Sequence, residues 1–162
     1  MTSSAQTTTL ERLAQRGLEL PPAPVFPPDQ QTAVPDFARD GDLLYLSGTG
    51  PFWGNELRYK GKLGADLDVA AGAAAAQLTL LNHLRALVDA GIDLERLRWL
   101  KVLGMVNSAP DFEQQPSVIN GFSDLVIELF GEERGIHARS AIGFVALPMQ
   151  MAVEIEAVCR IV

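Results

Sequence analysis

From Met151 to the end of the chain, apolar and polar side chains alternate residue by residue. Met151, Val153, Ile155, Ala157, Cys159 and Ile161 fall on one face; Ala152, Glu154, Glu156, Val158 and Arg160 fall on the other. Side chains of an extended chain switch sides at every residue, so this pattern predicts a strand buried on one face. A second strand is predicted from Arg139, apolar through Leu147. If Pro148-Met149-Gln150 is the turn of a plain hairpin, Arg139 lies opposite the region of Cys159 and Glu154 opposite the region of Phe144. That register separates Arg139 from Glu154 by about five residues, roughly 16 Å along the strand. Within one chain the two would not meet.

Helical spacing dominates the middle of the sequence. Asp68 is the expected N-cap of a helix from Val69 to Ala90, stopped by Gly91, with Gln77, Leu80, Leu81, Leu84, Leu87 and Val88 near one stripe. The block Ala73-Ala74-Ala75-Ala76 lets this helix approach a sheet closely. Pro116 opens a second helix to about Phe130, ended by Gly131, with a stripe of Val118, Phe122, Leu125, Val126 and Leu129. Glu132-Glu133-Arg134-Gly135 reads as a charged loop.

Strand signals flank the helices. Ala33 to Arg39 and Asp42 to Ser47 read as a hairpin around Asp40-Gly41, a pair that supplies the backbone angles a tight turn needs. Gly48-Thr49-Gly50-Pro51 ends its second strand, Leu57 to Leu63 reads as a short third one, and Leu97 to Val106 as a buried one. Residues 1–9 are polar and expected to fray. Leu10 to Leu18 predicts a short amphipathic helix closing around Gly17, and Pro21, Pro22, Pro24, Pro27 and Pro28 force an extended connector. The resulting order, β-β-(β)-α-β-α-β-β, is an α+β layout with two helices on one face of a sheet. The other face, left bare, would expose Val102, Phe144 or Leu44 according to register. A homo-oligomer packed sheet to sheet is therefore expected.

Composition narrows the function classes. At 162 residues, 48% hydrophobic and 20% charged, the chain has the make-up of one ordinary globular domain. Its net charge of −7, with no basic segment denser than Glu95-Arg96-Leu97-Arg98, argues against a nucleic-acid binder. A small-molecule ligand is expected instead. No apolar run approaches the roughly 20 residues that span a bilayer, and the first residues carry no secretory signal. Together with one cysteine, Cys159, this fits the cytoplasm. The alternation places Cys159 on the buried face as a structural thiol. His83 and His137 lie far apart with no partners at metal-ligand spacing, so no metal is expected, and His83 reads as a surface residue of its helix. Neither a phosphate-cradling glycine loop nor a Gly-x-Ser-x-Gly elbow occurs.

Arg139 is the one cation placed where chemistry can use it, after a loop and at the start of an apolar strand. One reading is a surface ion pair of little energetic weight. The other is a guanidinium fork that grips a carboxylate by two parallel hydrogen bonds. Glu154 has two readings as well, a solvated acid or a pocket carboxylate; Glu156 leans to a structural role at the edge of the core. If Arg139 and Glu154 serve one ligand, the economical arrangement is a composite site across a subunit boundary.

Arg139-Ser140, Leu147-Pro148 and Val153-Glu154-Ile155-Glu156-Ala157 together resemble the C-terminal signature of the RidA/YjgF family. Leu43-Leu44-Tyr45-Leu46-Ser47-Gly48 is similar to that family's second strand, and Asn120 falls where its helix carries an asparagine. The resemblance covers residues 33–162 and marks 1–32 as an N-terminal extension; Val118 to Leu125 and His137-Ala138 look like a divergent branch. It implies a chorismate-mutase-like fold with a mixed sheet, a homotrimer around a central β-barrel, and ligand clefts between subunits. It also implies hydrolysis of reactive 2-enamino or 2-imino acids to 2-keto acids and ammonia, without metal or organic cofactor. Arg139 would clamp the substrate carboxylate and Glu154 would position or activate water. Phe37, Ser47, Gly48, Asn120, Ser140 and Ala141 would line the pocket. Phe37 stands where the family commonly has a tyrosine, and Ala141 where it often has Cys or Thr. These departures keep open a trimeric carboxylate-binding or chaperone-like protein without turnover. An endoribonuclease ranks lower on the acidic charge.

Overall fold

The last strand forms as its alternation requires. In the computed structural model, which describes residues 7–25 and 33–162, β7 (Val153–Ile161) buries Val153, Ile155, Ala157 and Cys159 and turns Glu154, Glu156, Val158 and Arg160 to the other face. Burial pushes the Cys159 thiol pKa up, as expected for a structural cysteine. Pro27, Pro28 and residues 1–6 lie outside the described residues.

The sheet holds β1 (Phe37–Asp40), β2 (Leu43–Thr49), β5 (Leu97–Asn107), β6 (Ala138–Phe144) and β7 in the order β1-β2-β7-β5-β6. Only β5 and β6 run parallel. The expected hairpin of β6 with β7 is thus corrected. β6 pairs with β5 at the sheet edge, with Val102 beside Arg139, while β7 lies between β2 and β5. Alternation specifies which face a strand buries and is silent on its neighbour. A helix joins β5 to β6, and a helix-bridged crossover returns a strand parallel to the one before it.

After β6 the chain passes the end of β5 through a 3₁₀ turn at Pro148–Gln150. Met149 (φ 54°) and Gln150 (φ 60°) adopt left-handed backbone without being glycine. The turn is tied to the loop before α2: the amide of Gly61 donates to the Gln150 carbonyl (2.8 Å) and that of Ala152 to the Tyr59 carbonyl (3.1 Å).

The three expected helices form: a short one near the N-terminus and two long ones that cover the sheet. α2 (Val69–Asp89) starts where Asp68 accepts from the Ala71 amide (2.8 Å), and Gly91 (φ 73°) follows its end. α3 (Gln115–Gly135) is broken at Gly131 (φ 74°), the expected end, and the charged residues beyond form a further turn rather than a loop. Both helices lie on one face of the sheet and pack on each other. Gly121 lies directly against the backbone of Ala73, so the alanine block serves the approach of α2 to α3 as well as to the sheet. α1 (Thr9–Gln15), capped by Thr8 and Glu11, packs on α3, where Arg12 Nη1 donates to the Leu129 carbonyl (2.8 Å). The predicted third strand is replaced by a small separate hairpin, β3 (Phe52–Trp53) and β4 (Glu56–Leu57), turning at Gly54.

His83 is not at the surface. It is 3% exposed, and its Nε2 donates to the Ile155 carbonyl (2.9 Å) beside the bulge where β2 leaves register with β7. The stripe of α2 that faces β7 includes it, because small alanines elsewhere let the helix sit close enough to bury a ring. Val102 and Leu44 are fully buried under the helices. The bare face instead shows Tyr45, Ile142 and Phe144, each more than a third exposed. Among the described residues, no helix is long and apolar enough to cross a membrane.

Candidate functional site

β6 and α3 together position Arg139. It shares the side of the sheet on which its ladder neighbour Val102 is buried, so its side chain runs toward α3. There Nη1 donates to Asn120 Oδ1 (2.8 Å) and to Ser123 Oγ (3.3 Å). Asn120 and Ser123 are three residues apart on α3 and therefore share a face. Both protons of Nη1 are engaged in this way. Nε and Nη2, the edge of the fork suited to a carboxylate, have no partner among the described residues.

His137, two residues before Arg139, turns to the same side. Its Nε2 lies 3.0 Å from Ser123 Oγ and its Nδ1 2.6 Å from the Gly135 carbonyl oxygen. Burial lowers its pKa against the opposing effect of its bond to the Gly135 carbonyl, and the nearby charges of Arg139 and Lys101 lower it further, which favours the neutral ring. Neither Ser123 nor His137 was singled out as a site residue by sequence. Helical spacing from Asn120 and strand spacing from Arg139 were the signals that link them.

Glu154 belongs to the opposite face of the sheet. Its neighbour across the ladder is Met105, and its carboxylate folds over Gly48 in the β2 bulge: a β-carbon on Gly48 would stand 2.5 Å from Oε1. Burial raises the Glu154 pKa, and repulsion from Glu156 adds to it. Arg139 is level with Ala157 through Val102, so Glu154 is three residues further along β7 and two strands across. That is roughly 10 Å in each direction, with the sheet between them.

The remaining expected site residues are divided among these places. Ala141 stands beside Gly104 on the helix face, two residues beyond Arg139. Ser140 is on the bare face, where Lys101 Nζ donates to its Oγ (2.7 Å). Ser47 Oγ donates to the Pro35 carbonyl (2.7 Å) next to Gly48. Phe37 is on β1, at the far edge of the sheet from Arg139, and packs against the core. One chain thus brings together Arg139 with Asn120, and Glu154 with Gly48, but not the two groups with each other.

A cavity of about 420 Å³ lies further along the β6–α3 seam, lined in part by Lys62, Ser108, Phe112, Gln115 and Gly143. Lys62 Nζ is spent there on Asn107 Oδ1 (2.8 Å) and the Val145 carbonyl. Among the described residues, no cluster of His, Cys, Asp or Glu is arranged to hold a metal ion.

Comparison with known proteins agrees with this architecture. Residues 11–158 match the family model described as "YjgF/chorismate_mutase-like, putative endoribonuclease". Protein TCP17 of Trypanosoma cruzi is 37% identical over 150 residues, 92% of this chain and 91% of that protein. Among solved structures, Atu1372 of Agrobacterium tumefaciens, a protein of unknown function, superposes with a TM-score of 0.85 at 36% identity, covering 95% of this chain and 92% of that one. A Shewanella oneidensis protein described as a "putative endoribonuclease" gives a TM-score of 0.86 at 30% identity, covering 95% and 99%. On the family match across most of its length, and on the fold and signature residues above, this chain belongs to the RidA/YjgF family.

Proposed function

We propose that the protein hydrolyses reactive 2-imino or 2-enamino acids to 2-keto acids and ammonia, in clefts between the chains of a homotrimer. The observation that carries this reading is the state of Arg139: one guanidinium nitrogen anchored on α3, the Nε–Nη2 edge left for a ligand. A carboxylate docked side-on there receives two parallel charge-assisted hydrogen bonds. Its C2 imine carbon is then fixed relative to the protein, and orientation alone accounts for much of the acceleration of an already labile hydrolysis.

Glu154 supplies the proton transfers from an adjoining chain, because its own chain's sheet separates it from Arg139. Its carboxylate takes a proton from water as oxygen bonds to C2 and the C=N π pair moves to nitrogen, and the resulting carboxyl delivers that proton to the nitrogen. The carbinolamine hydroxyl then gives its proton to the carboxylate, which passes it to the amino nitrogen, and ammonia leaves as the C–N bond breaks and the C2 carbonyl forms. A carboxyl with a raised pKa suits both directions of transfer, and such acid–base help contributes typically ~10²–10⁴-fold. The trimer also covers the apolar face that shows Tyr45, Ile142 and Phe144.

Incubation with 2-iminobutanoate generated in situ, following keto-acid release, tests the reading. Release faster than in buffer and lost in Arg139→Ala is the expected result; a rate equal to buffer, or untouched by that substitution, overturns it. Phe37 favours one second reading, a carboxylate-binding protein without turnover, because the ring has no hydroxyl and packs against the core. In that case small carboxylic acids raise Tm without being consumed.

A further inference from the structure

The contacts around Ser123 form a chain with one consistent direction. A carbonyl oxygen only accepts, so the 2.6 Å contact of His137 Nδ1 with the Gly135 carbonyl places the proton on Nδ1. In the neutral ring Nε2 is then bare and accepts the Ser123 hydroxyl proton at 3.0 Å. With its hydrogen so committed, Ser123 turns its lone pairs to the Arg139 Nη1 proton at 3.3 Å. The sequence of donors is Arg139 to Ser123 to His137 to Gly135. Asn120 Oδ1 takes the second Nη1 proton.

The far end of this chain is fixed by close packing. Gly135 is buried, and a β-carbon there would stand 2.8 Å from the Ile127 Cα and 3.0 Å from the Val126 carbonyl oxygen. Only glycine lets the turn after Gly131 pass so near the body of α3 before it, and that approach holds the carbonyl against the imidazole. Ser123 is itself 7% exposed, so its hydroxyl cannot turn to bulk water instead.

We infer that His137 and Ser123 are positioning residues that pin Nη1 of Arg139 to α3 and thereby aim its Nε–Nη2 edge at the ligand. The inference rests on the proposed role of Arg139 as the carboxylate receptor. Neither residue touches the ligand. Each removes freedom from a long side chain that would otherwise lose it on binding. A ring with a bare Nε2 is required: a side chain without an acceptor there leaves the Ser123 hydroxyl free to rotate, so its lone pairs are no longer held toward Nη1.

The test uses the full-length protein and two readouts. The first needs no ligand: rotation and proton exchange of the Arg139 guanidinium, followed by nitrogen-15 NMR and assigned with Arg139→Lys. The second is the dissociation constant for 2-oxobutanoate, with KM and kcat for 2-iminobutanoate. His137→Ala and Ser123→Ala are expected to free the guanidinium, weaken 2-oxobutanoate about tenfold and raise KM about tenfold, with kcat within about twofold, since binding common to substrate and transition state is lost. His137→Gln, which restores an acceptor near Nε2, is expected to recover most of both. Unchanged guanidinium rotation in His137→Ala or Ser123→Ala overturns the inference, as does equal damage in His137→Gln and His137→Ala. A restrained guanidinium in a wild-type protein that neither binds the keto acid nor consumes the imine supports the pinning and overturns the proposed function instead.

Discussion

Glu154 lies over Gly48 with Oε1 2.5 Å from the place a β-carbon would take, so the carboxylate occupies space that only glycine leaves open. Gly48→Ala therefore displaces Glu154. The carboxylate is the free end of a flexible side chain, so the cost to stability is small, about 1 kcal/mol or less. Imine turnover is expected to fall at least about tenfold, within the range an acid–base group contributes. Parallel measurement of Tm and keto-acid release checks the pairing of intact fold with lost activity.

Glu154 also gives the protein a pH signature. Its folded-state pKa lies above the ordinary carboxylate value through burial, with Glu156 adding to the shift. A raised acid contributes stability in full below its unfolded pKa, and that contribution is lost as pH rises through the folded one. At pH 7 Glu154 is thus a mild burden, and Glu154→Gln is expected to raise stability there by less than about 1 kcal/mol at this partly exposed position. The base form is the ionised one, so activity rises with pH through the same raised pKa. Denaturant melts at pH 4 and 7 and a kcat/KM profile measure both.

Mixed oligomers test the division of the site. Arg139→Ala and Glu154→Gln chains are each expected to be inactive alone. Mixed in equal amounts under conditions that exchange subunits, they are expected to recover about a quarter of wild-type activity, since that share of subunit boundaries carries both intact residues. No recovery in demonstrably mixed oligomers means that the two residues do not serve one ligand.

Buried His83 predicts acid sensitivity. Desolvation lowers its pKa from 6.5 to about 4, against the opposing effect of its bond to the Ile155 carbonyl. Between these values the unfolded chain binds the proton and the folded one does not, so stability held above pH 6.5 is lost as pH falls toward 4. The loss amounts to roughly 3 kcal/mol. His83→Met is expected to remove most of this slope while costing about 1–3 kcal/mol at pH 7, for an unpaired Ile155 carbonyl. Chemical denaturation across pH 4–7 distinguishes the two proteins.

The sequence was most legible where one residue's side decides its fate. Alternation in β7 sorted Val153, Ile155 and Cys159 from Glu154 and Glu156, and Asp68, Gly91 and Gly131 marked helix ends where they occur. It was illegible where the partner is distant in sequence. Nothing local says that β6 joins β5 in parallel rather than folding back on β7. His83 was misplaced for the same reason: its burial depends on a carbonyl 72 residues away. For the candidate site, Arg139 stood out by type and position and Asn120 only through the family resemblance; the structure joins the two by a hydrogen bond. The Ser123–His137 link was within reach, but only after α3 had been set against β6.

Met149 and Gln150 hold the join between the Arg139 strand and the Glu154 strand in left-handed backbone that neither residue favours. Such conformations cost on the order of 1 kcal/mol or more each and last only where the surroundings impose them. The crossover is therefore a loaded spring in the covalent path from Arg139 to Glu154 of the same chain. Glycine at position 149 would unload it, leaving a sturdier protein whose two strands are less firmly indexed to each other.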